Sequence, residues 1–363
     1  MKKMLYLSNV SWTWIKQRPQ FLAEELGRYY EVDVCAKKAY KNKANTEKSD
    51  RIKLNDFRMI PFQRLACIRI LNLWLFSYRV RQELKKKTYD YIWIASPEYY
   101  FCLKESIPNN AIVIYDCMDD SVEFKKTDHE KRLYIKAEKM LMKRADLVIS
   151  SAEHLRNVLL RRYDGVAPGK IKVLNNGLAK RLIDNIHKTK RPISAEKVKN
   201  IVYIGTISEW FDFDLIISSL EKFDNIKYTL YGPADIEIPA HERVVYKGFV
   251  EHEKIDEIMQ NADLLIMPFK LNPIVESVNP VKLYEYISSR TPIASIRYGE
   301  SEKFAPFVYL YKNKKEYFDI LYKLNNDKMI EIDAEEAGMF LNNNSWEQRA
   351  LKIKTWLDVF EEK

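Results

Sequence analysis

The chain is short of the features that usually announce a function. Its nine glycines in 363 residues form neither a Gly-x-Gly-x-x-Gly nor a Gly-x4-Gly-Lys-Ser/Thr phosphate loop, which disfavours a dehydrogenase or a kinase. Four cysteines (Cys35, Cys67, Cys102 and Cys117) are scattered without metal spacing and read as reduced thiols. The five histidines form no Cys/His or Ser/His/Asp arrangement. No window reaches the roughly 18 continuous apolar residues of a membrane span. The apolar part of Met1–Ser8 is too short for a signal peptide, no small-residue cleavage site follows, and the segment reads as a first β-strand. A cytoplasmic protein is therefore expected. Zinc fingers, aromatic RNA-binding strand motifs and basic zippers are missing, so nucleic acid is not an expected partner.

What the chain does have is length, apolar content and positive charge. At 363 residues and 47% apolar it is too long for one ordinary core and suits two domains. Sixty basic against 51 acidic residues leave a formal charge of +9. That excess fits an anionic membrane surface or phosphorylated small molecules.

Continuous apolar strands alternate with amphipathic helices, the pattern of parallel sheets covered on both faces. Strands are predicted at 3–8, 32–35, 91–95, 111–115, 146–150 and 171–174, then at 201–205, 227–231, 244–247, 264–268, 293–296 and 307–310. Helices are predicted at 18–29, 63–87, 130–144 and 152–163, then at 213–222, 252–260, 280–289 and 314–325. Two strand starts resemble each other: Met4-Leu5-Tyr6-Leu7-Ser8 and Ile201-Val202-Tyr203-Ile204-Gly205 are each followed by a loop carrying Trp. An α/β protein with two doubly wound domains in tandem follows. The charged stretch Lys180–Asn200 lacks apolar periodicity and is read as the linker. The expected division is 1–190, 191–344, and a final helical segment 345–363. In that segment Trp346, Ala350, Ile353, Trp356, Leu357 and Phe360 share one face, expected to return to the first domain.

The densest chemical signal is Asn279-Pro280-Val281-Lys282-Leu283-Tyr284-Glu285-Tyr286, just after the apolar strand Leu264–Phe269. A helix starting near Pro280 would offer unpaired N–H groups and a partial positive charge, which suits a phosphate. Glu285, one turn inside, could accept hydrogen bonds from vicinal hydroxyls such as those of a ribose. The plain alternative is that Pro280 only starts a helix and Glu285 is solvated. Asp212-Phe213-Asp214 spells the Asp-x-Asp of metal-dependent transferases, but a helix cap is the expectation there. In 58–87, Arg58, Arg64, Arg69, Arg79, Arg81 and Lys85-Lys86-Lys87 interleave with Leu65, Ile68, Leu71, Leu73, Trp74, Leu75 and Phe76. Such a helix either lies in an anionic membrane interface or faces the core with basic flanks.

An ordered set of segments then resembles a known family. They are Arg18-Pro19-Gln20-Phe21-Leu22-Ala23, Tyr115-Asp116-Cys117-Met118-Asp119-Asp120, Ala145–Ser151, Asn176-Gly177, Tyr231-Gly232-Pro233, Gly248-Phe249-Val250, Ala262–Phe269, and the 279–286 motif with Thr291-Pro292-Ile293 behind it. This pattern is similar to that of bacterial glycosyltransferases of the GT-B fold, of the retaining family 4 type. The nearest subgroup is that of teichuronic-acid or capsule-biosynthesis transferases.

The resemblance implies a hexosyltransferase-type enzyme of cell-surface polysaccharide biosynthesis, and the 58–87 segment, in its membrane reading, would place it peripherally on the inner face of the plasma membrane. A UDP- or GDP-linked sugar would be held mainly by the second domain and a saccharide or lipid-linked acceptor mainly by the first. Reaction would take place in the cleft between them, without a metal or other cofactor. The donor-binding residues it implies are Gly205, Thr206, Gly232, Phe249, Ser277, Val278, Asn279, Pro280, Val281 and Glu285. The family's Glu-x7-Glu pair falls on 277–285, where the first position is Ser277 and Glu276 stands one residue early. Either a small loop shift brings Glu276 in or the subgroup works differently. The family's cations after the first strand of the second domain are absent from Thr206–Asp212, which leaves Lys282 as the candidate for stabilising the departing diphosphate.

On the acceptor side, carboxylates beyond the end of a parallel strand face the ligand crevice. Asp119 or Asp120 would accept or orient the acceptor proton, or else cap a helix, while Asp116 is expected to be structural. Trp12, Trp14 and Arg18 are the acceptor-binding candidates, the alternative for the tryptophans being burial in a domain interface. Two rival functions share the scaffold: a sugar-nucleotide epimerase, and a non-catalytic binding subunit.

Overall fold

The computed structural model describes residues 1–12, 16–38, 49–62, 65–125, 127–187 and 198–360. The chain forms two compact units, Met1–Asn176 with Trp346–Lys363, and Gly177–Ser345.

In the first unit, strands β1 (Lys3–Ser11), β2 (Glu31–Lys38), β3 (Ile52–Arg58), β4 (Tyr91–Ile94), β5 (Ile112–Cys117), β6 (Leu147–Ser150) and β7 (Ile171–Val173) form one parallel sheet in the order β3-β2-β1-β4-β5-β6-β7. Met4–Leu7 of β1 and all of β4 are buried. Central strands in a sheet covered on both faces must be apolar throughout, because neither set of side chains meets water. The strand order reverses between β1 and β4, so the carboxyl ends of these strands flank the unit's switch point, where such sheets leave a crevice.

The second unit repeats the scheme. Strands β8 (Lys199–Ile204), β9 (Ile226–Tyr231), β10 (Val244–Gly248), β11 (Leu264–Met267), β12 (Ile293–Ile296) and β13 (Tyr309–Tyr311) form a parallel sheet in the order β10-β9-β8-β11-β12-β13. Its switch point lies between β8 and β11.

Two features differ from the sequence expectation. The units part at the Asn176–Gly177 turn, not at 190. Leu178, Leu182, Ile183 and Ile186 are buried in the second core, and Leu178 N–H donates to Asn344 O at 3.0 Å, so this stretch belongs to the second unit. Strand β3, unforeseen because Ile52–Arg58 has no apolar run, pairs in parallel with β2. The final helix, Trp346–Asp358, packs in the first unit as expected. Its buried face includes Trp346, Ala350, Ile353 and Leu357, and Trp346 stacks on Phe21 at 5.4 Å.

Candidate functional site

The carboxyl ends of β8, β9 and β10 carry a glycine each, and the three backbones converge. Gly205 N–H donates to Tyr231 O at 2.9 Å, and Gly232 N–H donates to Gly248 O at 2.7 Å. Gly232 has φ +125°, and a Cβ there would lie 2.0 Å from Gly205 O. Only glycine meets both conditions. Thr206 accepts from the Tyr203 hydroxyl through its backbone oxygen at 2.8 Å, which fixes the turn after β8. Phe249, next after Gly248, stands 70% exposed.

The helix Val281–Ser289 is tied to the same strand ends. Tyr286 on its inner face accepts from Ile204 N–H at 3.0 Å, immediately before Gly205. Pro280 is its N-cap and supplies no side-chain bond. Among the described residues no acceptor outside the helix is placed on Val281 N–H or Lys282 N–H. The open amides and the helix dipole make this tip a ready anion site. Lys282 and Glu285, assigned separate roles by the sequence, touch: Nζ to Oε2 is 2.6 Å. They share one helix face at i,i+3 spacing.

The loop before the tip is held from inside. Ser277 is buried and its hydroxyl donates to Pro273 O at 2.7 Å; it closes the short Pro273–Glu276 helix and points no polar group outward. The Glu276 carboxylate has no partner among the described residues. Val278 O accepts from the Tyr298 hydroxyl at 3.2 Å. Asn279, buried, donates through Nδ2 to Glu300 Oε2 at 2.8 Å. Glu300, also buried, is bridged by Lys303 at 2.9 and 2.8 Å. Sequence reading missed Glu300. Its position just beyond β12 was the available signal, since strand ends near a switch point face the crevice.

The Asp-x-Asp pair is accounted for by the fold. Asp212 caps the Phe213–Lys222 helix by accepting from Leu215 N–H, and exposed Asp214 pairs with Lys270 at 2.8 Å. That cation holds the Asp214 carboxyl below its ordinary range.

In the first unit three sequence candidates change character. Trp12 is buried in the core with Met4, Tyr6 and Leu22, so its indole is removed from any acceptor. Trp14 lies outside the described residues. Arg18, the first residue of the Arg18–Leu26 helix, is buried and committed. Its Nη2 lies 2.9 Å from Asp116 Oδ1, and its Nη1 donates to Leu174 O at 2.8 Å. Recruiting Arg18 to an acceptor would strand the fully buried Asp116 without its cation. Asp120 is likewise spent. Arg162 grips it with two bonds of 2.8 and 2.6 Å, and the same arginine leans on buried Glu138 at 3.6 Å. Glu138 also accepts from the hydroxyls of Tyr115 and Tyr163. This network binds β5 to the Asp128–Arg144 and Glu153–Arg162 helices.

Asp119 is the exception. It is partly exposed, and its carboxylate makes no hydrogen bond or ion pair among the described residues. Surrounding protein pushes its carboxyl above the ordinary range; Arg18 opposes this, and Asp116 and Asp120 add to it. A partly exposed aspartate whose carboxylate is unpaired and whose pKa is raised by burial fits a general base.

Residues 20–180 match the model of Glycosyltransferase Family 4. Among curated proteins the chain is similar to a provisionally named teichuronic acid biosynthesis glycosyltransferase, TuaH of Bacillus subtilis (strain 168), at 23% identity over 236 residues, 61% of this chain and 59% of that protein. It is also similar to an uncharacterized 41.2 kDa protein of the Klebsiella pneumoniae cps region, at 26% identity over 38% of this chain and 40% of that one. The chain thus spans about three fifths or less of the length of these relatives. Likeness to solved structures runs the whole length. Anabaena Alr3699/HepE, solved with UDP and glucose, has a TM-score of 0.69 at 15% identity over 99% of this chain and 100% of that one. Sucrose-phosphate synthase of Thermosynechococcus elongatus has a TM-score of 0.73 at 15% identity over 100% of each chain. Residues 20–180 are therefore similar to Glycosyltransferase Family 4, and the chain's two parallel-sheet units have the GT-B fold.

Proposed function

We propose that this protein is a glycosyltransferase that takes a sugar from a nucleotide-sugar donor and passes it to a saccharide or lipid-linked acceptor in cell-surface polysaccharide biosynthesis, with retention at the anomeric carbon. One observation carries the reading: an uncapped helix tip, with open amides at Val281 and Lys282, begins a helix that Tyr286 fastens to the end of β8, where the glycine-bearing ends of β8–β10 meet. A diphosphate needs close backbone approach and fixed positive charge, and this corner supplies both.

In this mechanism the diphosphate sits on the Val281 and Lys282 amides. Lys282 moves from Glu285 to the phosphates, and Glu285 turns to the ribose hydroxyls. Charge grows on the departing diphosphate as the glycosidic bond breaks, and the amides and Lys282 stabilise it there. Phe249 offers a ring for the base. Asp119 accepts the proton of the attacking acceptor hydroxyl. No metal step is assigned, since Asp212 and Asp214 already serve a cap and an ion pair. The relatives' links to teichuronic acid biosynthesis and a cps region support the polysaccharide setting; UDP, bound by the Anabaena neighbour, supports the donor class.

A panel of UDP- and GDP-sugars tests this by thermal stabilisation and by diphosphate release, each with and without acceptor. The expected outcome is stabilisation by one donor and acceptor-dependent release, with turnover falling about 100-fold or more in Lys282→Ala. Interconversion of donors without acceptor would identify an epimerase. Binding without release would identify a non-catalytic subunit.

A further inference from the structure

We infer that the outer face of the Ala66–Lys86 helix is a docking surface for an anionic lipid bilayer. The inner face of this helix is ordinary: Asn72, Phe76, Ser77 and Val80 are buried, and Asn72 accepts from Ile60 N–H and donates to Ile60 O, both at 2.9 Å. The face turned to water is not. Ile70 is 67%, Trp74 55%, Tyr78 45% and Leu71 41% exposed. At 100° per residue these four, with exposed Cys67, fall on one stripe. Trp74 and Tyr78 stack at 5.9 Å with 17° between the planes, forming a single flat aromatic surface. Leu65 and Phe62 extend the apolar run ahead of the helix. A soluble surface scatters such residues singly; grouped in a stripe, they mark a contact.

Charge selects the occupant. Lys85 continues the stripe toward the helix end and Arg79 flanks it, both exposed and neither ion-paired among the described residues. Glu83 on the helix is neutralised by Lys86 at 2.9 Å, and Glu130 by the helix residue Arg69 at 2.7 Å. An apolar stripe bearing Trp and Tyr, with uncompensated cations at one end, matches the boundary between acyl chains and anionic headgroups. A protein partner for the same stripe would need no uncompensated cations. The assignment does not depend on the transferase reading, and its test uses neither donor nor acceptor.

Flotation of the full chain with vesicles provides that test, comparing phosphatidylglycerol and phosphatidylcholine in equal parts with phosphatidylcholine alone. Flotation with the anionic vesicles only, lost in high salt, is expected. Arg79→Gln with Lys85→Gln should weaken binding roughly thirtyfold. Ile70→Ser, Leu71→Ser and Trp74→Ser together should abolish it while leaving the melting temperature in place, since all three side chains are exposed. A polarity-sensitive dye on Cys67 should shift to the blue when vesicles are added. No flotation, or flotation indifferent to the triple change, overturns the proposal. So does self-association that the triple change removes without any vesicle binding, which would give the stripe to a second copy of the chain.

Discussion

At the carboxyl end of β5 in the first unit stand Asp116, Asp119 and Asp120; at the carboxyl ends of β8, β9 and β10 in the second stand Gly205, Gly232 and Gly248. Both groups occupy the crevice end of a parallel sheet, yet they use different materials. In the first unit two of the three carboxylates are consumed by arginines, Asp116 by Arg18 and Asp120 by Arg162, and one remains open. In the second unit the strand ends carry glycines whose backbones pack on one another, and the charged groups Lys282 and Glu285 pair with each other. A buried ion pair fixes architecture, because removing either partner leaves an uncompensated charge. Exposed backbone at a helix tip leaves a place for something else. The contrast gives the first set a mainly structural part; under the proposed function, ligand binding falls mainly to the second set, with Asp119 as the reactive group on the first side.

That division can be broken by substitution. The largest effect is expected from Asp116→Ala, which strands Arg18 in the first core. It should destabilise the first unit by about 3–5 kcal/mol, read by chemical denaturation, with little change in UDP affinity wherever the chain remains folded. Unaltered stability would remove the contrast at its root. Asp119→Asn should do the opposite, lowering turnover about 100-fold or more with an unchanged melting temperature. The pH profile sharpens this case. The base must be deprotonated, so activity should fall as pH drops through its raised pKa. The acid limb should therefore lie above the ordinary carboxylate range and disappear in the asparagine variant.

Gly232→Ala tests the second side. Its Cβ would meet Gly205 O at 2.0 Å on a backbone with φ +125°, so a cost of about 2–3 kcal/mol and loss of UDP binding in calorimetry are expected together. The smallest effect should come from Glu300→Gln. Glutamine can still accept from Asn279 but loses the charge that Lys303 bridges. UDP affinity should drop about tenfold, near 1.4 kcal/mol, while Glu300→Ala should lose more. Equal behaviour of the two variants would deny Glu300 its hold on the loop.

Much of the scaffold was legible before the structure. β1, β4, β5, β8 and β11 each contain a continuous apolar run because each is covered on two faces, and β3 escaped notice because an edge strand needs no such run. Pro280 and the residues after it announced a helix start next to a strand end. The candidate site was less legible. Arg18 and Trp12 looked available because nothing local to them shows burial. Asp120 looked as free as Asp119, although one is gripped by an arginine 42 residues away and the other is not. The unit boundary was misplaced for a related reason: Lys180–Ile186 is charged in sequence, yet Leu182, Ile183 and Ile186 reach a core built from strands that come later.

The order of residues by itself determined two parallel α/β units, the glycines that let three backbones meet, and the proline that opens a helix tip. These rest on interactions a few residues long: strand burial, φ freedom and helix capping. Tertiary structure alone decided which polar groups are spent and which are open. A charge is neutralised by whatever packing brings within a few ångströms, and Arg18 finds Asp116 across 98 residues of chain, a distance over which sequence carries no record of contact.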